Sequence, residues 1–236
     1  MIDQHIASAF DRDLEAIQAL LIKMGGLVEE AILLGAQSLE TRDTELADKV
    51  RAGDKAIDAL ELQINEEAAR TIALRAPVSK DLRTILTVLR VSASLERIGD
   101  YAKNMAKRTH VLAEQRQING PDAALRRMAR EVQEMLRDTL DAFVRRDVAL
   151  AEDVRQRDHD IDQMYNALFR EFLTFMMEDP RNITACMHLH FIAKNVERMG
   201  DLVTNMSEQI IYLVTGELPE EPRQKGDQTA IFGDGA

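Results

Sequence analysis

The sequence predicts an all-α protein made of two tandem antiparallel three-helix bundles, with six long helices related by an internal repeat. Apolar residues recur every three or four positions over long stretches, which is the spacing of one helix face. The 236 residues include only 5 prolines, so long spans contain no strong helix breaker. No stretch shows strand-like alternation between turn residues, so nothing competes with the helical interpretation.

The first two helices are predicted over residues 6–39 and 44–74. Gly25-Gly26 interrupts the first helix as a bend, a close helix contact or a tolerated weak point. Asp43, in the turn between the two helices, is a candidate N-cap. The second helix is expected to end before Pro77, because a proline disfavours helical geometry in the residue that precedes it.

The third helix is predicted from Ser79, a candidate N-cap, to about Glu114. Gly53-Asp54 marks a candidate break in the second helix. Residues 117–121, which contain adjacent Gly and Pro, form the clearest linker in the chain.

The order of three helices then repeats. The fourth and fifth helices are predicted over residues 122–145 and 148–177. The sixth is predicted over residues 180–215, with Asp179 as its N-cap and Gly216 as its C-terminal stop. We therefore divide the chain into a first bundle at 1–117, a second bundle at 118–216 and a flexible tail at 217–236.

Composition narrows the classes of function. The formal net charge of −11 argues against non-specific binding to nucleic acid or to an anionic membrane. Cys186 is the single cysteine, which excludes an intramolecular disulfide framework and predicts a small buried side chain. No signal-peptide pattern opens the chain and no apolar run is long enough to cross a bilayer, so we expect a cytoplasmic protein without membrane insertion.

One motif, E-R-(I/M)-G-D followed by Asn four residues on, appears once in each half. It occupies residues 96–100 and 197–201. A Glu, an Asp and an Asn at i, i+4 and i+8 share one face of a helix. Two carboxylates at this spacing repel each other, and a glycine inside a helix costs roughly 1 kcal/mol relative to alanine. A repeated local defect of this kind indicates a compensating role, with the glycine admitting a neighbouring backbone or a ligand.

A second acidic pair precedes each motif. Asp54 and Asp58 lie on the second helix, and Asp158 and Asp162 lie on the fifth. Each of these helices is antiparallel to the next, so the two acidic rows of each bundle are expected to converge. Carboxylate and amide oxygens suit Mg²⁺, Ca²⁺, Mn²⁺ or iron, and suit zinc less well.

The alternative is a solvated charged face neutralised by intrahelical ion pairs. Lys103 lies three residues after Asp100, and Lys194 lies three residues before Glu197. Each lysine is placed to neutralise part of a row.

Signatures of catalysis are missing from the sequence. We find no Ser-His-Asp set, no Walker A loop and no dinucleotide fingerprint, and the Glu-x-x-His motif of di-iron bundles is absent. His188 and His190 lie two residues apart, on different sides of a helix, and are expected to have structural roles. A non-enzymatic protein is the favoured interpretation.

The duplicated motifs resemble the PhoU family over nearly the whole chain, from about His5 to Glu217. Supporting stretches are M-G-G-L-V-E at 24–29, A-P-V-S-K-D-L-R at 76–83 and M-M-E-D-P-R at 176–181. The resemblance implies a negative regulator of phosphate uptake and of the phosphate-starvation response. It implies an adaptor between PstB, the ATPase of the Pst transporter, and the sensor histidine kinase PhoR, and a homodimer is common in the family.

The resemblance also implies metal ions at the acidic motifs, with the metal differing between members. Mg, Mn, Fe, Zn and Ca all remain open. The candidate ligands carried over by motif are Asp54, Asp58, Glu96, Asp100 and Asn104 in the first half, and Asp158, Asp162, Glu197, Asp201 and Asn205 in the second. A metal-dependent enzyme or a metal-storage protein that uses the same carboxylates is the alternative function.

Overall fold

The computed structural model describes residues 2–118 and 120–219, and the tail predicted at 217–236 therefore lies mostly outside the described residues. The described chain is helical, with six long helices and a short 3₁₀ turn, as the sequence predicts. The helices are α1 (Ile2–Thr41), α2 (Thr44–Arg75), α3 (Lys80–Ala113), α4 (Pro121–Arg145), α5 (Val148–Glu178) and α6 (Ile183–Thr215).

The six helices form two three-helix bundles that pack side by side. In the first half α1, α2 and α3 all contact one another, and α4, α5 and α6 do the same in the second. The halves meet through two pairs, α1 against α4 and α3 against α6. These four helices make a central ring, with α2 on one flank and α5 on the other. Within the described residues, no helix is long and apolar enough to cross a membrane.

One hydrophobic core runs through both halves. The largest group of packed buried residues includes Leu21 and Leu95 of the first bundle together with Leu136 and Phe172 of the second. Cys186 belongs to the same core, which confirms its predicted role as a small buried side chain. Burial also raises the pKa of the Cys186 thiol, so the group stays protonated and inert.

The two inter-helix turns at Arg42 and Arg146 have the same structure. Each arginine adopts a left-handed conformation, with φ of 55° and 56° respectively. The aspartate that follows caps the next helix: Asp43 accepts a hydrogen bond from the Leu46 amide at 2.9 Å, and Asp147 accepts one from Leu150 at 3.0 Å. The predicted N-cap at Asp43 is therefore confirmed, and its repeat has an equivalent cap.

Some local predictions were wrong. Ser79 precedes α3 but has φ of 52° and makes no side-chain capping bond. Asp179 accepts from the Arg181 amide at 3.0 Å and so caps the 3₁₀ turn Pro180–Asn182, while α6 begins only at Ile183. Gly53 does not break α2. Gly25-Gly26 lies inside an unbroken α1; a Cβ built on Gly25 would collide with Leu140 of α4, so the close helix contact, one of the three alternatives, is confirmed there.

Candidate functional site

The first acidic cluster lies where α2 and α3 pack against each other. Asp54 is buried and Asp58 is exposed on α2, while Glu96 and Asp100 are half-buried on α3. Burial raises the pKa of Glu96, and the charges of Asp100, Glu61, Asp58 and Asp54 add to the rise. The structure therefore brings the four predicted carboxylates of this half close enough to repel one another.

Lys103 supplies the positive charge in this cluster. Its Nζ donates to Asp54 and, at 3.2 Å, to Asp100 Oδ1. The hydrogen bond to Asp54 raises the pKa of the Lys103 ammonium, so the lysine stays charged at neutral pH. In the first cluster the two acidic rows converge and a lysine also neutralises part of their charge, although the sequence offered these two arrangements as alternatives.

The second acidic cluster lies at the equivalent place between α5 and α6. Asp158, Asp162 and Glu197 are buried there, with 4%, 5% and 6% of their surfaces exposed. Burial raises the pKa of Glu197, and the charges of Asp201 and Asp162 act in the same direction. Asp158 accepts a hydrogen bond from Thr204 Oγ1 at 3.1 Å.

The two clusters differ in the position of their lysine side chain. Thr204 occupies the repeat position of Lys103, so a hydroxyl replaces the ammonium beside the first aspartate. The lysine of the second cluster is Lys194, which donates to Glu197 Oε1 at 2.9 Å and lies 4.9 Å from the centre of the Tyr165 ring. Glu197 Oε2 is buried without a hydrogen-bond partner, an arrangement that is costly for a charged oxygen.

The glycines of the motifs admit side chains from the neighbouring helix. A Cβ built on Gly99 would lie 3.0 Å from Cδ1 of Ile57, and one built on Gly200 would lie 3.3 Å from Cγ2 of Ile161. Ile57 and Ile161 are themselves equivalent in the repeat, and each lies inside a D-x-x-x-D pair. The glycines therefore let α2 approach α3, and α5 approach α6, at the level of the carboxylates.

Other residues depart from the predicted set. Asn104 and Asn205 are exposed one turn beyond the motif aspartates, and within the described chain neither is hydrogen-bonded to a carboxylate of its cluster. Glu61 contributes a fifth carboxylate to the first cluster, although the duplicated motifs of the sequence did not include it. The position equivalent to Glu61 in the second half holds Tyr165, so a search for duplicated acidic residues could not find Glu61. The signal that could have identified it is its position three residues after Asp58, on the same face of α2.

The described residues contain no group of three or more His, Cys, Asp or Glu side chains arranged to hold a metal ion. The two histidines of α6 also lie apart. His188 Nδ1 is 3.1 Å from Arg108, while His190 packs among the rings of Tyr165, Phe169 and Phe191. The ligand role of the acidic residues therefore stays a prediction.

Comparisons with known proteins agree with this repeated architecture. The PhoU domain model matches the chain twice, at residues 21–109 and 125–210. A protein of Rhizobium meliloti (strain 1021), named phosphate-specific transport system accessory protein PhoU homolog, is 43% identical over 99% of this chain and 98% of its own length. A Zymomonas mobilis protein of the same name is 44% identical over 94% of this chain and 93% of its own length.

Solved structures show the same fold. The crystal structure of PhoU from Pseudomonas aeruginosa matches with a TM-score of 0.85 and 38% sequence identity. The match covers 88% of this chain and 100% of the Pseudomonas chain. PhoU from Streptococcus pneumoniae, described as a phosphate transport system regulatory protein, has a TM-score of 0.83 and 30% identity, covering 90% of this chain and 100% of its own. With both repeats matched and relatives aligned over nearly their full length, the chain belongs to the PhoU family.

Proposed function

We propose that this chain is an accessory regulator of phosphate transport that restrains phosphate uptake and represses the phosphate-starvation response. The observation that carries the proposal is the match of both repeats to the PhoU domain, together with relatives of that name aligned from end to end. The chain acts in the cytoplasm, as a homodimer.

The proposed mechanism is a change of partner affinity, with no bond made or broken by the chain. The partners are PstB, the ATPase of the phosphate transporter, and the sensor kinase PhoR. An all-helical chain with 30% charged residues suits the docking of proteins, and the sequence carries none of the nucleophile or phosphate-binding motifs of the common enzyme classes. At high phosphate the chain holds the kinase in its inhibitory mode.

Copurification tests this role. Tagged chain from cells grown at high and at low phosphate is expected to retain both the ATPase and the kinase, with the retained amounts changing with phosphate. A matched chain with Asp100→Asn and Asp201→Asn separates a role of the acidic clusters from the role of the remaining surface. Failure to retain either partner at any phosphate level would contradict the adaptor role.

We also propose that the acidic clusters hold a divalent or iron-type cation. The donor chemistry fits: Asp54, Asp58, Glu96, Asp100 and Asn104 would hold it in the first cluster, and Asp158, Asp162, Glu197, Asp201 and Asn205 in the second. The buried Glu197 Oε2, which lacks a hydrogen-bond partner, supports the fit. A bound cation would neutralise the mutual repulsion of the carboxylates and tie each pair of antiparallel helices together.

Cation binding can be measured directly. Calorimetric titration of chelator-treated protein with Mg²⁺, Mn²⁺, Ca²⁺ and Fe²⁺ is expected to show binding that the Asp100→Asn and Asp201→Asn exchanges abolish. Asp160→Asn, an exposed neighbour of the second cluster, is the matched control and should leave binding unchanged. No heat of binding with any of the four cations would remove this part of the proposal.

The alternative is a metal-dependent enzyme or a metal store, which the concentration of carboxylates at two places between neighbouring helices favours. Elemental analysis together with phosphatase and oxidase assays separates the two functions. Turnover that disappears in Asp100→Ala and Asp201→Ala would support an enzyme. Bound metal without turnover would support the regulatory function instead.

A further inference from the structure

A row of arginines runs along the line where α3 packs against α6, apart from both acidic clusters. We call it the arginine seam: Arg83, Arg90, Arg97 and Arg108 of α3, with Arg198 of α6. Arg97 and Arg198 are the arginines of the two E-R-(I/M)-G-D motifs, and the acidic clusters make no use of them. The proposed function therefore leaves this part of the motif unexplained.

The spacing of the four α3 arginines places them on one face. Arg83, Arg90 and Arg97 are seven residues apart, and Arg108 follows eleven residues later. Steps of seven and eleven residues each return to within about 20° of the same direction on a straight helix. Contacts with α6 show that this face lies along the line between the two helices.

Arg198 lies on the matching face of α6. Phe191, Arg198 and Gln209 follow the same steps of seven and eleven residues, and the outer two contact arginines of α3. Because Arg90 contacts Gln209 and Arg108 contacts Phe191, the helices are antiparallel and Arg97 falls near the level of Arg198. The two motif arginines are both exposed there, close to the middle of the seam.

Three of the five seam arginines are held by neutral groups. Arg90 Nη1 donates to Gln209 Oε1 at 2.6 Å, and Arg83 lies 5.4 Å from the centre of the Tyr212 ring. Arg108 lies 4.5 Å from the centre of the Phe191 ring and contacts His188 Nδ1 at 3.1 Å. In the part of the chain that the structure describes, none of the five forms an ion pair with a carboxylate.

This arrangement is unusual in an acidic chain with a net charge of −11. Two other arginines are by contrast matched with acids: the buried Arg155 pairs with Glu152 at 2.7 Å, and the half-buried Arg157 pairs with Glu131 at 2.8 Å. In the seam only Arg83 and Arg108 are half-buried, without such an ion pair, and burial lowers the pKa of Arg108. Five guanidinium groups that form no ion pair within the described chain make a surface that is complementary to an anion.

We propose that the arginine seam is the docking surface for an acidic α-helical segment of a partner protein. Arginines seven residues apart on α3 are about 10.5 Å apart along the axis, which matches acidic side chains at every seventh residue of a second helix. A helix lying along the line between α3 and α6 would meet all five guanidinium groups. This proposal rests on the adaptor role for its use in the cell.

The carboxylates on both sides of the arginine seam favour a narrow partner. On α3, Glu96 and Asp100 lie beside Arg97 on the side towards α2, and Asp201 lies on the side of α6 towards α5. A membrane surface or a nucleic acid duplex is wide enough to bring its negative charge against these carboxylates. A single helix, about 10 Å across, presents a much narrower charged surface.

The test uses a synthetic helical peptide of about 28 residues, which spans about 42 Å, with glutamates at every seventh position. A second peptide of the same composition has its glutamates distributed around the helix. The intact protein is expected to bind the first peptide about tenfold more tightly than the second, and binding should weaken as salt is raised.

The variant Arg90→Gln, Arg97→Gln, Arg198→Gln is expected to bind the first peptide about tenfold less tightly than the wild type. The control Arg70→Gln, Arg127→Gln, Arg170→Gln removes the same charge from exposed positions outside the seam and should keep the affinity. If the first variant unfolds at a lower temperature, the pair Arg97→Gln, Arg198→Gln decides the result, because both arginines are exposed and form no hydrogen bond or ion pair within the described residues.

Equal losses in the seam and control variants would show general charge attraction and overturn the proposal. So would equal binding of the two peptides, no binding of either peptide, or tighter seam-dependent binding of anionic lipid vesicles or duplex DNA. Each of these outcomes leaves the copurification test of the adaptor role unaffected, so the two proposals fail separately.

Discussion

Gly99 and Gly200 show how single residues of the motif shape the packing around the acidic clusters. Each is buried against an isoleucine from the neighbouring helix. The sequence predicted a close approach at both glycines and left open whether a backbone or a ligand makes it. The answer depends on which side chain faces the glycine across the bundle, and no spacing within one helix contains that information.

Replacing Gly99 by valine is expected to lower the free energy of unfolding by roughly 1 to 3 kcal/mol, because the added methyl groups collide with Ile57. Gly26→Ala is the contrasting change: nothing lies within 4 Å of its added Cβ, so the better helix former should stabilise the protein. The expected gain is about 1 kcal/mol. Urea denaturation measures both, and equal effects at the two glycines would contradict the packing role of Gly99.

Glu197→Gln is expected to raise the melting temperature near neutral pH and to have little effect at about pH 4. Burial raises the folded pKa of Glu197 above its ordinary value of 4.5. The stability contributed by such a group is fully present below its unfolded pKa and is lost as the pH rises through the folded pKa. The glutamine removes this loss because it carries no charge to bury.

Thermal unfolding followed by circular dichroism, in chelator, checks the effect across the pH range. Glu66→Gln, at an exposed position on α2, is the control and should change little at any pH. An effect of Glu197→Gln that does not depend on pH would contradict the raised pKa.

The residues of the acidic clusters divide into those that the sequence could and could not identify. Asp58, Glu96 and their repeats were identified because the chain contains each pattern twice. Glu61 and Thr204 have no like residue at their repeat positions, so duplication gave no signal for them. Their roles depend on the packing of α2 on α3 and of α5 on α6, and only the structure specifies that packing.

At the scale of the helix, the ends were predicted less well than the bodies. The apolar period of α2 continues through Gly53, because tertiary contacts outweigh a cost of about 1 kcal/mol for one glycine. Ser79 has the right identity for an N-cap, but its backbone geometry leaves the side chain without a capping bond. Identity alone did not determine that geometry.

The caps of α2 and α5 are a helix-level prediction. Asp147→Ala is expected to lower the free energy of unfolding by about 1 kcal/mol, because the Leu150 amide loses its acceptor. Asp147→Ser keeps an acceptor and should cost less. Chemical denaturation measures both variants, and an alanine variant as stable as the wild type would show that the cap contributes nothing.

At the scale of the whole molecule, the division into bundles at 1–117 and 118–216 describes the repeat better than it describes the core. Residues of both halves belong to one buried cluster, and α1 and α3 pack against α4 and α6. The sequence predicted the two bundles because the repeat is visible in it. It gave no sign of the shared core, since the apolar faces of α1 and α3 are equally consistent with packing inside one bundle.

The shared core predicts cooperative unfolding. The full chain is expected to unfold in a single transition by both calorimetry and circular dichroism. A fragment of residues 1–117 would expose the faces of α1 and α3 that now cover α4 and α6, and is expected to aggregate or remain unfolded. Two separate transitions, or a stable monomeric fragment, would contradict a common core.

The regulatory role is tested by the expression of a phosphate-starvation reporter in cells growing at high phosphate. Cells that lack this chain are expected to express the reporter fully, and cells that regain the wild-type chain should repress it again. This result follows from a regulator that holds the kinase in its inhibitory mode when phosphate is plentiful. A reporter that stays repressed in the absence of the chain would contradict the regulatory role.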